Sequence, residues 1–250
     1  MSDDSGLYGD SFADVYDEWY GEMFDTDGAV HTVLGLADGR AICELGVGTG
    51  RLAIPLARSG LRVVGIDASQ PMLDILGSKS PPHSLRAVLG DMSLVADALE
   101  ALGIPTEFGV VLCAFNTFLN LTTADAQQRC LQQVASILGD GGRLVIENIV
   151  PVDPSQMRDA SDVASAVRSD VPVLTTTTVD TRTQLIIGEH IEHRAEGPRR
   201  RPWKVRYVTV AELDEFAAAA GLRLEQRWSD WRGGVFDTDS GVHVSVYLRT

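Results

Sequence analysis

The first forty residues show an aromatic periodicity. Phe12, Val15, Tyr16 and Trp19 recur at i, i+3, i+4 and i+7, which predicts one short helix with an aromatic face. Ser11-Phe12-Ala13-Asp14 has the spacing of a capping box near its start. A second helix is expected from about Asp27 to Leu36, stopping at Gly39. Beyond Arg40 the texture changes to short apolar runs alternating with helical patterns. Ala41–Leu45, Leu61–Ile66, Ser84–Leu89, Val110–Ala114 and Leu144–Val150 read as strands. Arg51–Ala57, Gln70–Leu76, Ser93–Leu102 and Ala124–Leu138 read as the intervening helices. Ser69 and Pro71 mark the start of the second, and Gly139-Asp140-Gly141-Gly142 ends the fourth. Strand and helix in strict alternation predict a parallel sheet covered on both faces. The continuously apolar Val110–Ala114 suits a strand buried on both sides.

After Pro151 the period shortens. Asp153–Ser169 is polar and reads as either a helix or a lid. Val173–Val179, Gln184–His193 and Trp203–Thr209 alternate as antiparallel strands do. Thr209-Val210-Ala211-Glu212 is a second capping box, opening a helix that ends at Gly221. Leu222–Trp228 and Val242–Leu248 then form a closing hairpin. The expected fold is α/β: a Rossmann-like seven-stranded sheet with N-terminal lid helices and an antiparallel β insertion. All 250 residues are expected in a single domain. Residues 1–40 form its lid, 41–150 its α/β core, 151–209 the insertion, and 210–250 the helix and hairpin that complete the sheet.

Composition narrows the partners. A formal charge of −14 argues against a polyanionic partner such as nucleic acid. Arg199–Arg206 is the one basic stretch; Gly197-Pro198 marks a turn beside it, so Arg199-Arg200-Arg201 reads first as a solvated hairpin turn. With Lys204 and Arg206 it reads alternatively as a grip for an anionic acceptor. Cys43, Cys113 and Cys130 are far apart and form no CxxC pair, as buried thiols in a reducing compartment would be. His190 and His193 point to opposite faces of a strand, so no metal site is expected. The acidic start Ser2-Asp3-Asp4 is unlike a signal peptide, and no apolar run approaches the roughly 20 residues of a membrane span. A cytoplasmic protein without membrane contact is expected, and a homo-oligomer stays open.

The chemistry concentrates at Glu44-Leu45-Gly46-Val47-Gly48-Thr49-Gly50, at a strand end and opening a helix. Glycines there let the backbone turn sharply and approach a ligand that a Cβ would exclude. Asp67 closes the next strand, where a carboxylate can hold two ribose hydroxyls. Counted from Gly46, the dinucleotide fingerprint would need its third glycine at Arg51; counted from Gly48 its looser form fits at Ala53. A nicotinamide-dependent oxidoreductase therefore remains an alternative, as does a non-catalytic cofactor-binding module. The full pattern, E-x-G-x-G-x-G, resembles motif I of class I S-adenosylmethionine-dependent methyltransferases.

That resemblance covers Ala41 to Val150 and implies S-adenosyl-L-methionine as cofactor. It implies a cofactor site built from Tyr20, Glu44, Gly46, Gly48, Gly50, Arg51, Asp67, Ala68, Met72, Asp91, Met92 and Ala114. Asp67 and Asp91 also read as helix caps, and Met72, Phe115 and Phe118 as core. Phe12–Tyr20, Asn116–Leu121, Glu147-Asn148 and His243–Tyr247 are similar to bacterial natural-product N-methyltransferases of the amino-sugar and lincosamide type. This narrower likeness implies Tyr8, Tyr16 and Phe115 at the reacting centre, and Asn116, Phe118, Asn120, Glu147 and Arg206 toward a small-molecule acceptor. Its acceptor atom would be an amine nitrogen of an antibiotic or amino-sugar intermediate, with hydroxyl or carbon acceptors as alternatives.

Overall fold

A computed structural model describes residues 6–21, 23–151, 160–164 and 169–250. Its centre is a seven-stranded sheet made of β1 (Ile42–Leu45), β2 (Val63–Asp67), β3 (Leu85–Leu89), β4 (Phe108–Cys113), β5 (Leu138–Ile149), β10 (Leu222–Trp228) and β11 (Val242–Arg249). The strand order is β10-β11-β5-β4-β1-β2-β3. Neighbours pair in parallel from β5 through β3, while β11 runs antiparallel to both β5 and β10. Every residue of β4 is buried, as its apolar run requires.

Helices cover both faces. α3 (Thr26–Ala37), α4 (Ala53–Arg58) and α5 (Gln70–Ser78) pack on one side with Ile42, Val63, Val110 and Leu112. α6 (Val95–Ala101), α7 (Ala124–Ile137) and α8 (Val210–Ala219) pack on the other with Cys43, Val64, Val111 and Leu144. Adjacent residues of one strand thus feed opposite cores. The chain leaves β1 toward one face and β4 toward the other, so a crevice opens between their carboxyl ends, at the switch point of the sheet.

Several local signals are realised. Ser69 accepts from the Met72 amide at the start of α5, and Thr209 from the Glu212 amide at the start of α8. Four details differ from the pattern reading. The lid is two helices, α1 (Leu7–Phe12) and α2 (Tyr16–Tyr20), and Ser11 lies inside the first rather than capping one. A 3₁₀ turn over Met92–Leu94 precedes α6. The glycines at 139–142 belong to β5, which starts at Leu138 with a register irregularity opposite β4. The basic run is not a turn: β9 (Gly197–Arg206) already contains it, because Ala195-Glu196 makes the hairpin bend.

A second, antiparallel sheet lies after the core, in the order β6 (Ala160–Ala164), β7 (Val173–Asp180), β8 (Leu185–Arg194), β9. The expected helix or lid at Asp153–Ser169 falls mostly outside the described residues; what is described there, β6, is a strand. Register places Ile186, His190, Arg201, Trp203 and Val205 on one face of this sheet. The lid packs against it: Phe12, Trp19, Tyr20, Met72 and Val173 form one cluster. Arg201, 1% exposed, is the polar bolt of that contact. Its guanidinium donates to the Ser11 carbonyl at 2.5 Å, to Asp14 at 2.6 Å and to the buried Glu192. It also lies over the Trp19 ring, 5.5 Å from the centroid.

Candidate active site

The crevice holds a cavity of about 310 Å³ between the carboxyl ends of the central strands, the lid and the insertion sheet. Its floor is the glycine loop after β1. Gly46, Gly48 and Gly50 take φ of +66°, +52° and +87°, backbone that L side chains adopt at a cost. A Cβ on Gly48 would meet no protein atom within 4 Å, so a side chain there would project into the space the loop encloses. At Gly46 a Cβ would fall 2.3 Å from Thr117 Cγ2, so this glycine also lets the loops after β1 and β4 close on each other. Gly50 lines no part of the cavity. A Cβ there would press Ile54 and Leu76 at 3.0–3.1 Å, and its work is the turn into α4.

Asp67 closes β2 facing the loop. Its Oδ2 accepts from the Gly48 amide at 2.8 Å and its Oδ1 from the Ser69 amide at 2.9 Å. Burial raises its pKa, and those two amides pull the other way. The carboxylate is therefore fixed in place with lone pairs to spare beside the cavity. Asp91 has two jobs: Oδ1 caps the turn at the Ser93 amide, 2.8 Å away, and the residue lines the cavity with Met92, Ala68 and Met72. An acid on β2, an acid after β3 and a Met between them make a cleft suited to a nucleoside.

A narrow lobe adjoins the cavity, sharing Tyr16, Gly46, Gly48, Phe115 and Thr117 and adding Glu44, Thr49, Arg51 and Ala114. Glu44 is 5% exposed, and its Oε2 has no hydrogen-bond partner among the described residues. Burial pushes its pKa up to about 8, Arg51 opposing and Asp67 adding to the rise. A buried carboxyl short of one partner suits a cationic group entering the lobe. Arg51 itself lies 4.4 Å from the centre of the Phe24 ring, which meets Phe115 at a tilt of 59° with centroids 4.1 Å apart.

The lid brings Tyr8, Tyr16 and Tyr20 to the cavity wall. Tyr16 and Tyr20 are 5.2 Å apart, Tyr20 is 5.7 Å from Phe115, and Tyr8 hydrogen-bonds Tyr20. Burial raises the pKa of all three phenols, so they stay neutral at ordinary pH.

The loop after β4 is under backbone strain. Phe115 and Asn116 stand in succession at φ of +50° and +60°, each costing on the order of 1–3 kcal/mol. Glu147 holds them: Oε2 accepts from the Phe115 amide at 2.7 Å, and Oε1 from Trp231 Nε1 at 2.7 Å. The Asn116 amide donates to the Glu147 carbonyl at 3.0 Å, and Asn116 Oδ1 accepts from the Ile149 amide at 2.7 Å. Glu147 is thus an anchor beneath the loop and not a wall of the cavity.

Most residues singled out from the sequence come together here, but three besides Gly50 line neither the cavity nor its lobe. Phe118 is 1% exposed and belongs to the core under α7. Glu147 has both oxygens occupied as above. Arg206 is on the opposite face of β9 from Trp203 and Val205, and its guanidinium is taken up by Gln127, Gln184 and Glu212. Of the basic run, Arg199 pairs with Asp14 at 2.8 Å and Arg200 with Glu189 at 2.5 Å; both side chains stay solvated, on a strand and not in a turn. The sequence reading missed His190, Trp203, Thr117 and Leu119 as lining and Trp231 as support. Period-2 alternation on β8 and β9 could have flagged the first two.

Fold and cleft together define an open α/β nucleotide-binding protein with a lidded, aromatic second compartment. The family described as "Methyltransferase domain" matches residues 42–142. Cypemycin N-terminal methyltransferase from Streptomyces sp is 30% identical over 191 residues, covering 75% of this chain and 74% of that one. The CcbJ methyltransferase from Streptomyces caelestis superimposes with a TM-score of 0.87 at 36% identity over 98% of both chains. CalS10, an amino pentose methyltransferase from Micromonospora echinaspora solved with S-adenosylmethionine bound, shares the fold (TM-score 0.67, 20% identity, 90% of both chains). The chain belongs to the class I S-adenosylmethionine-dependent methyltransferases. S-adenosylmethionine is its cofactor, and the nicotinamide alternative falls.

Proposed function

We propose that this enzyme methylates an amine nitrogen on a small natural-product intermediate, an amino sugar or antibiotic precursor, in the cytoplasm. The observation that carries this reading is the second compartment. Neutral phenols and aromatic faces meet there, and among the described lining residues the carboxylates, Asp67 and Asp91, sit on the nucleoside side. Bound S-adenosylmethionine supplies an electrophilic methyl on a sulfonium, with a neutral thioether as leaving group.

The chain does the rest. Asp67 and the Gly48 turn hold the ribose side, Met72 and Asp91 the base, and Glu44 the ammonium of the amino-acid end. Tyr8, Tyr16 and Phe115 fix the acceptor in line, an orientation effect that can supply roughly 7 kcal/mol or more. An ammonium moved from water into this compartment loses affinity for its proton, since burial disfavours the charged form. The proton passes to water, guided by the Tyr16 or Asn116 side chain, and the nitrogen lone pair is freed without a strong base. A hydroxyl gains no such help from burial. The aromatic faces of Tyr16, Tyr20 and Phe115 then favour the cationic, methylated product. The similarity to cypemycin N-terminal methyltransferase supports the same choice.

The test uses cofactor labelled with ¹³C in its methyl group and a panel of amino sugars and cyclic amino acids. The carbon shift of the product methyl distinguishes attachment to nitrogen, oxygen or carbon. N-methyl products are expected; an O- or C-methyl product from an acceptor that also offers a free amine overturns the proposal.

A further inference from the structure

The insertion-sheet end of the cavity is apolar except at one point. Ile186, Trp203, Val205 and Leu121 line it, and His190 is the one polar side chain that β8 and β9 present there. Its ring is held on three sides. It stacks on Trp19 at 5.9 Å and 21°, and meets Phe12 and Trp203 edge-on at 5.5 and 6.0 Å. Trp203 is itself placed by a missing side chain: a Cβ on Gly188 would lie 2.2 Å from the indole. Gly188 therefore lets the indole lie across the β8 backbone.

The bond between the two rings fixes the proton. Trp203 Nε1 lies 3.0 Å from His190 Nδ1, and an indole nitrogen can only donate. Nδ1 is then the acceptor, so the neutral ring carries its hydrogen on Nε2. Burial and the nearby Arg201 lower the pKa of His190, which keeps the ring neutral. In that state it has no free lone pair with which to take a proton from the amine. What it offers is a single N–H, and among the described residues nothing accepts from it.

Resting on the N-methyl-transfer reading above, we propose that His190 selects the acceptor by donating Nε2–H to an oxygen of it. The acceptor is thus an amine carrying a carbonyl, carboxylate or hydroxyl oxygen a few bonds from the nitrogen, with an apolar body against Trp203. A buried donor left without a partner weakens binding of an analogue lacking that oxygen by at least about tenfold.

Two measurements test this. The first compares kcat/KM for matched amines, prolinamide against pyrrolidine and 2-aminocyclohexanol against cyclohexylamine, in the wild type, His190→Phe and His190→Gln. The wild type is expected to favour the oxygenated member at least about tenfold. His190→Phe loses that preference, and His190→Gln, which keeps an N–H donor, retains part of it. An undiminished preference in His190→Phe, or none in the wild type, overturns the proposal. The second measurement is side-chain ¹⁵N NMR of the full chain labelled at histidine, with His190→Gln to assign the signal. A neutral Nε2–H ring that changes tautomer balance in Trp203→Phe is expected; an Nδ1–H or doubly protonated ring at neutral pH overturns it. If no amine is methylated while the cofactor still binds, the N-methyl-transfer reading fails, and the NMR decides the His190 assignment on its own.

Discussion

Glu44 gives the sharpest prediction at the scale of one residue. Its pKa near 8 in the free protein means that the carboxyl is mostly protonated at pH 7. A cofactor ammonium in the same lobe favours the ionised form and lowers that pKa on binding. Binding then releases a proton, so affinity tightens as pH rises from about 6 toward 8, by up to tenfold per unit. Calorimetric titrations of S-adenosylhomocysteine across that range check it; Glu44→Gln is expected to bind more weakly with a nearly flat profile. Glu147 provides a second test. It accepts two hydrogen bonds, and a glutamine can accept only through its one oxygen. Glu147→Gln leaves either the Phe115 amide or Trp231 Nε1 facing an N–H group, at a cost of about 1–3 kcal/mol. Turnover is expected to fall more than cofactor affinity does, since the strained pair Phe115-Asn116 loses its anchor. Equal losses in both contradict the positioning role.

The residues that a sequence shows best are those whose partners are near in the chain. The glycine loop and Asp67 are legible because a strand end, a turn and the next strand end fix their meeting within one βα unit. Glu147 and Arg206 are not: each side chain's direction depends on a register with distant strands, which spacing alone leaves open. Trp231 reaches Glu147 across 84 positions and leaves no local trace.

At the scale of elements, the α/β alternation and most strand positions follow from apolar periodicity. The lid is where it misleads. The spacing Phe12, Val15, Tyr16, Trp19 continues through a break, because both short helices face the same wall. In one unbroken helix the Ser11 carbonyl would receive the Val15 amide. Here Arg201 donates to it, and the Val15 amide turns back to the Phe12 carbonyl at 3.0 Å. A side chain 190 positions away thus takes the carbonyl that a continuing helix would use. Removing that side chain has a calculable effect. Arg201→Met leaves Glu192, fully buried, with Oε1 unpartnered while Arg194 still holds Oε2, at an expected cost of about 1–3 kcal/mol. Arg201→Met with Glu192→Gln is expected to recover much of it; denaturant unfolding of both variants checks the pair. The lid's other straps are exposed. Asp17, half exposed, takes Thr49 Oγ1 at 2.6 Å and Lys79 Nζ at 2.6 Å. Asp17→Ala is therefore expected to change stability by under about 1 kcal/mol while releasing cofactor several-fold faster. A stopped-flow displacement experiment reads the rate, and an unchanged rate would deny the strap its role.

Across the whole molecule, two sheets divide the work. The central sheet supplies a pinned turn and two acids for the nucleoside at its switch point. The insertion sheet and the lid supply the aromatic compartment, and the strained loop after β4 lies between them. Everything said of the acceptor depends on the nucleoside lying in the space above Gly48. The most direct test is calorimetric titration of S-adenosylhomocysteine into the wild type and into Gly48→Val, with thermal unfolding as a control for the fold. The side chain introduced at Gly48 points into the enclosed space at φ +52°. Binding is expected in the wild type and lost in a variant that still unfolds cooperatively. Unchanged affinity in the folded variant would place the cofactor elsewhere and contradict the account.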